Sequence, residues 1–138
     1  MIPRYTRPEM GKIWEEKEKL QRMLDVEIAV CEELAARGEI PAEALDAIKS
    51  KSAFDPERIR EIERVTKHDV IAFLTNVAEN VGPASRYIHL GLTSSDVLDT
   101  GMALQLVSAG GLIIEGISNL LDTLRRRLPE LRVQPRLR

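Results

Sequence analysis

The chain has one cysteine, only two histidines and almost no net charge, and each shortage closes off a class of function. Cys31, alone, cannot form an internal disulfide; it lies within a helical pattern and reads as a small buried apolar residue of a reducing compartment. A net charge of −2 over 138 residues supplies no basic field to draw in nucleic acid. Gly-rich phosphate loops, nucleophilic-serine elbows and Cys/His metal spacings are all missing. His68 and His89, even with Asp69 or Asp96, match no standard metal site. No apolar run reads as long enough to cross a membrane, and Met-Ile-Pro-Arg-Tyr lacks the basic start and apolar block of a signal peptide. Strand alternation and hairpin turns are absent too. The expectation is a cytoplasmic, all-α chain with no metal, no cofactor, no nucleic-acid partner and no membrane partner.

What is present is mostly helix. Hydrophobic residues make up 43% and charged residues 30%, a balance that supports one packed domain rather than a disordered chain. A stiff arm, Ile2-Pro3-Arg4-Tyr5-Thr6-Arg7-Pro8, comes first. Its two prolines favour extended backbone around Arg4 and Tyr5, either reaching into a neighbouring cleft or fraying. From about Glu9, apolar residues recur every three or four positions through Met10, Ile13, Trp14, Leu20, Leu24, Ile28, Cys31 and Leu34. Lys17 spans the one wider gap, Trp14 reads as core, and Gly38 ends the helix. A short helix follows over Ala42 to Lys49. Asp55-Pro56-Glu57 restarts the pattern as cap, first helical residue and first-turn acid. Beyond Lys67-His68-Asp69 it continues through Val70, Phe73 and Val77 to a stop near Gly82-Pro83.

The densest polar segment is Arg86 to Thr100. It gathers Arg86, His89, Thr93, Ser94, Ser95 and Asp96 around Gly91 and runs directly into a helix. Hydroxyls at a helix start can simply cap it, or can seat a carboxylate or phosphate beside free N–H groups. Lys67 and His68 likewise read either as solvated and structural or as donors to the same anion. From the residues alone the candidate anion site is Lys67, His68, His89, Thr93 and Ser94, and no reaction follows from it. A long apolar-striped helix then runs to about Arg127, with Gly110-Gly111 marking a kink or a close helix contact. Pro129 and Pro135 are expected to break the helix in a basic tail, whose arginines lack any nucleic-acid recognition element.

Three motifs in order carry a resemblance. Arg4-Tyr5 after Met-Ile-Pro, Lys67-His68-Asp69-Val70, and Ile88-His89-Leu90-Gly91-Leu92-Thr93-Ser94-Ser95-Asp96-Val97-Leu98-Asp99-Thr100 together resemble the bacterial adenylosuccinate lyases of the fumarase/aspartase superfamily. The resemblance covers residues 1–127. It implies an N-terminal helical domain over 1–94, the first long helix of a central bundle over 95–127, and a divergent tail over 128–138. It implies β-elimination of fumarate from adenylosuccinate, giving AMP, and from the related carboxamide ribotide. Arg4 and Tyr5 would contact the nucleotide end. Lys67, His68 and Asp69 would line the pocket, with His68 donating to a substrate oxygen. His89 would hold the phosphate, and Thr93 and Ser94 a succinyl carboxylate. The family's general acid, a histidine, and its base, a serine in a mobile loop, have no counterpart here. Nor does the rest of the bundle, which builds a homotetramer and brings three subunits to each site. The chain is therefore expected to be an inactive fragment, its tail resembling either a shifted reading frame or a mis-called gene end. The alternatives are a non-catalytic helical nucleotide-binding module and a helix-pairing oligomerisation element.

Overall fold

The computed structural model describes residues 2–133. A 3₁₀ turn, Pro3–Tyr5, leads into helices α1 (Pro8–Ile13), α2 (Glu16–Ala36), α3 (Ala42–Lys51), α4 (Pro56–Thr66) and α5 (Asp69–Val81). A second 3₁₀ segment, Gly82–Tyr87, and helix α6 (Ser94–Val133) complete the fold. Every regular element among the described residues is helical, as the periodicity and the empty strand signal predict.

Local chemistry sets most boundaries. Gly38, at φ 75°, closes α2: its N–H donates to the Ala35 carbonyl and that of Glu39 to Leu34, the paired bonds of a Schellman end. Asp55 caps α4, its carboxylate accepting from the Glu57 N–H at 3.0 Å. The Asp55 N–H in turn donates to the buried Asn76 side chain at 2.8 Å, which fastens the start of α4 to α5.

The core lies where α2, α3, α4 and α5 meet the start of α6. Leu24, Cys31, Ile48, Ile59, Val70, Phe73, Val77 and Val97 are buried together. The Phe73 ring meets Phe54 at 6.3 Å between centroids, tilted by 57°. Helix α6 packs on α2 where Gly101 sits; a Cβ there would lie 3.6 Å from the Met23 nitrogen, so the two backbones come close.

Several expectations fail here. The first helix is two helices, broken at Trp14–Glu15, where the apolar pattern has its gap. The Ile13 carbonyl beside the break accepts from the buried Gln105 amide of α6 at 2.6 Å. Trp14, expected in the core, is 37% exposed because it ends α1 instead of lying along a continuous stripe. Gly110 and Gly111 face open space, so no helix makes the expected close contact there. Helix α6 does not end near Arg127 or at Pro129; it continues to Val133. A proline inside a helix removes one i→i−4 bond, and here the element carries on past that loss. Residues 134–138, with Pro135, lie outside the described residues.

The membrane expectation also needs correcting. Within Ser94–Leu128 an 18-residue window has mean hydropathy 1.6, so α6 is long and apolar enough to cross a membrane by length and composition. Glycine and alanine lengthen that window without reading as an apolar run. Only 22% of it is buried in this chain: Val107, Ile113, Ile114, Ile117, Leu120 and Leu124 are all exposed.

The two faces of the fold differ in what they contribute to stability. Phe73→Ala should cost about 3–5 kcal/mol in urea denaturation, because it empties a buried aromatic site. Ile114→Ala, at an exposed position of α6, should stay within about 0.5 kcal/mol. Equal losses at the two positions would contradict this placement of the core.

Candidate active site

The segment between the second 3₁₀ turn and α6 is held from beneath by Glu27 of α2. Glu27 is 1% exposed, and both its oxygens are used. One accepts the His89 main-chain N–H at 2.8 Å, and the other meets His89 Nδ1 at 2.6 Å. These bonds hold His89 at φ 65°, a left-handed conformation that costs a non-glycine residue of order 1–3 kcal/mol. Gly91, at φ 76°, supplies the second left-handed residue that the turn needs. With Nδ1 turned into the protein, Nε2 is the ring nitrogen left for a ligand.

Thr93 precedes α6 and forms a capping box with Asp96. The Asp96 carboxylate accepts from the Thr93 N–H and from its hydroxyl, each at 2.8 Å, and the Asp96 N–H points back to Thr93 Oγ1 at 3.4 Å. Those bonds, the main-chain one first, lower the Asp96 carboxyl below its usual range, and His89 adds to the effect. The Thr93 hydroxyl proton is thereby committed to Asp96, so Thr93 acts as a cap. The Ser94 hydroxyl, one residue on, makes no such bond and remains available to an anion at the helix start.

Lys67 and His68 form the junction of α4 and α5. Lys67 ends α4 at φ 55°, ψ 30°. His68 caps α5, with Nδ1 accepting from the Ile71 N–H at 3.4 Å. An accepting Nδ1 puts the ring proton on Nε2, so His68 presents a donor outward. Asp69 turns a carboxylate oxygen to the Val70 N–H at 2.8 Å and stands 3.6 Å from His68 Nδ1. Lys67, His68 and Asp69 are all exposed.

Arg4 and Tyr5 make a third group, the guanidinium lying 4.7 Å from the centre of the Tyr5 ring. Tyr5 lines an open groove of about 840 Å³, with Arg7 and Met10 on one side and Leu112, Glu115 and Asn119 of α6 on the other. At 1.5 Å per residue, Leu112 lies about 27 Å along α6 from Ser94. Among the described residues no hydrogen bond or ion pair joins the Arg4–Tyr5, Lys67–Asp69 and His89–Ser94 groups. Of the five residues expected from the sequence to form an anion site, His68 and Thr93 make their hydrogen bonds within their own segments and His89 bonds to Glu27, and none of those bonds links Lys67–His68 to His89–Ser94.

Glu27 is the residue that sequence reading missed. Its signal was there: it falls on the apolar stripe of α2, between Leu24 and Cys31, where a carboxylate needs a buried partner. The same stripe puts Cys31 beside it, with Sγ 3.6 Å from the Tyr87 carbonyl. Burial, and then the Glu27 charge, push the Cys31 thiol up to about 11, so it stays protonated and unreactive.

An all-helical fold with a polar helix start fits a lyase. Residues 4–132 match the family described as Lyase, and the chain belongs to that family. It is 63% identical over 125 residues to the adenylosuccinate lyase of Synechocystis sp., covering 91% of this chain and 29% of that protein. With the adenylosuccinate lyase of Aquifex aeolicus the identity is 49% over 129 residues, covering 91% of this chain and 30% of that protein. The fold is similar to that of fumarate lyase from Mesorhizobium sp. BNC1, with a TM-score of 0.74 and 26% identity over 86% of this chain and 29% of that one. The chain thus spans about 30% of the length of the curated relatives it matches.

Strain at the α4–α5 junction is open to measurement. Lys67→Gly should stabilise the chain by about 0.5–1 kcal/mol, because glycine adopts the left-handed helix end without a Cβ penalty. Urea denaturation checks this, and a loss of stability would mean that the Lys67 side chain itself holds the junction.

Proposed function

We propose that the chain is the N-terminal portion of an adenylosuccinate lyase, contributing substrate-binding residues to a β-elimination completed by segments outside it. The observation that carries this reading is backbone strain. Among the described residues, Lys67 and His89 are the two non-glycine residues with positive φ, and both lie in the motifs on which the resemblance to that family rests. Strain of this kind persists where the surrounding structure enforces it, commonly at sites that bind or react.

In this reading His68 donates through Nε2 to a substrate oxygen, with Lys67 and Asp69 lining the same pocket. His89 meets the phosphate through Nε2. Ser94 and the first N–H groups of α6 take a succinyl carboxylate, while Thr93 shapes the turn that presents them. Arg4 and Tyr5 contact the nucleotide end. The reaction removes a proton beside a carboxylate, breaks the carbon–nitrogen bond and releases fumarate, with the departing nitrogen protonated by an acid. The histidine acid and serine base implied by the family lie beyond what this chain supplies, so the chain alone gives no turnover. The same chemistry serves adenylosuccinate and the carboxamide ribotide substrate of purine synthesis.

Residues 1–94 form the site-bearing domain and 95–127 the first bundle helix. The uncovered side of α6 is buried against bundle helices in a cytoplasmic homotetramer, not against lipid. No metal, cofactor or nucleic acid enters this reading. A nucleotide is shorter than the roughly 27 Å along α6 that separates Tyr5's groove from Ser94, so one site draws Arg4–Tyr5 from a different copy than His89 and Ser94.

Grafting residues 1–127 onto the remaining segment of the Synechocystis relative tests the reading. The graft should release fumarate from adenylosuccinate, and His68→Ala or His89→Ala in it should lower kcat/KM by at least about 100-fold, the low end of a proton-donor contribution. An assembled, folded graft without turnover would overturn the proposal.

A further inference from the structure

We infer that Glu27 is a positioning residue for His89, fixing which ring nitrogen meets the substrate. The inference deepens the proposed function and rests on it for the identity of the ligand. Two bonds carry it. One Glu27 oxygen takes the His89 main-chain N–H at 2.8 Å, and the other takes Nδ1 at 2.6 Å. Glu27 is 1% exposed and the His89 side chain 20%, so the pair sits below the surface with one edge of the imidazole outward. An ionised carboxylate can only accept, so against it Nδ1 carries a proton whether the imidazole is neutral or charged. Nε2 is then the outward nitrogen. In the imidazolium form it is an N–H donor suited to a phosphate oxygen, with Glu27 as buried counter-charge.

The contrast with His68 sharpens this. There Nδ1 accepts a main-chain N–H, so neutral His68 carries its proton on Nε2. The chain's two histidines are thus set in opposite tautomers, each by the partner of its Nδ1. A Glu27→Gln change keeps the shape and reverses the instruction. The amide oxygen must serve the fixed main-chain N–H, which leaves the amide NH₂ facing Nδ1. His89 can then satisfy it only by accepting there and moving its proton to Nε2.

Long-range proton–nitrogen correlation NMR on the ¹⁵N-labelled 138-residue chain reads the protonation of each ring nitrogen directly, and His68→Gln assigns the two histidines. The expected result is a protonated Nδ1 on His89 and a protonated Nε2 on neutral His68. In Glu27→Gln the neutral His89 proton should shift to Nε2 while His68 is unchanged. A wild-type His89 with a bare Nδ1 would overturn the inference, and so would a folded Glu27→Gln chain whose His89 is unmoved. Should that variant not fold, the wild-type spectrum decides alone. Adding AMP separates the two layers of the argument. A shift at His89 Nε2 with Nδ1 unchanged supports both. The expected tautomers with no response to AMP uphold the positioning role of Glu27, and the same AMP titration of the assembled graft, which holds the whole site, then decides whether His89 is the phosphate ligand.

Discussion

A carboxylate buried to 1% exposure must find partners, and Glu27 finds both of its own in one residue, His89. That requirement ties the middle of α2 to the turn before α6. It holds His89 in a left-handed conformation, so that the chain, after Gly91, enters α6 at Thr93. Helix α6 then runs back over α2, with Gly101 allowing the close approach to Met23. The polar helix start and the packing of α6 on α2 therefore depend on the same pair of hydrogen bonds. Removing one partner of such a pair is costlier than the bonds are worth, because the other is left buried and unsatisfied.

Helix α6 sets the second constraint. It is 40 residues long, about 60 Å at 1.5 Å per residue, and its buried residues, Val97, Gly101, Gln105 and Ala109, all lie in its first 16 positions among the described residues. Beyond Ala109 its apolar residues lie on several sides, and most are exposed. A helix apolar around much of its circumference is built to be surrounded. The Lyase family membership and the roughly 30% coverage of its relatives agree with a helix whose neighbours lie outside the chain. The groove between the N-terminal arm and Leu112–Asn119 is open for the same reason.

Much of this was legible in the sequence where local chemistry decides. Asp55-Pro56, Gly38 and Gly82-Pro83 mark helix ends because caps and left-handed turns demand those residue types. The Thr93–Asp96 cap was legible too, although which hydroxyl it consumes was not. Tertiary effects were hidden. Trp14 fits the helical period, but the break beside it, with Ile13 served by Gln105 from 92 residues away, takes it out of the core. Glu27 stands out on the apolar stripe of α2, but the sequence does not say that its buried partner is His89, 62 residues on. The placement of the candidate site residues was hidden most deeply, because Tyr5 packs beside the middle of α6, at Leu112–Asn119, while His89 and Thr93 lie just before its first residue, Ser94.

That separation leads to the claim on which the rest turns, that one site is assembled from more than one copy. Mixing two grafted enzymes measures it most directly, one carrying Tyr5→Ala and the other His89→Ala, each inactive alone. After dissociation and reassembly the mixed oligomers should regain fumarate release, because some sites then combine an intact Tyr5 from one copy with an intact His89 from another. Mixed oligomers that demonstrably form yet stay as inactive as either parent would contradict the claim and place the whole site within a single copy.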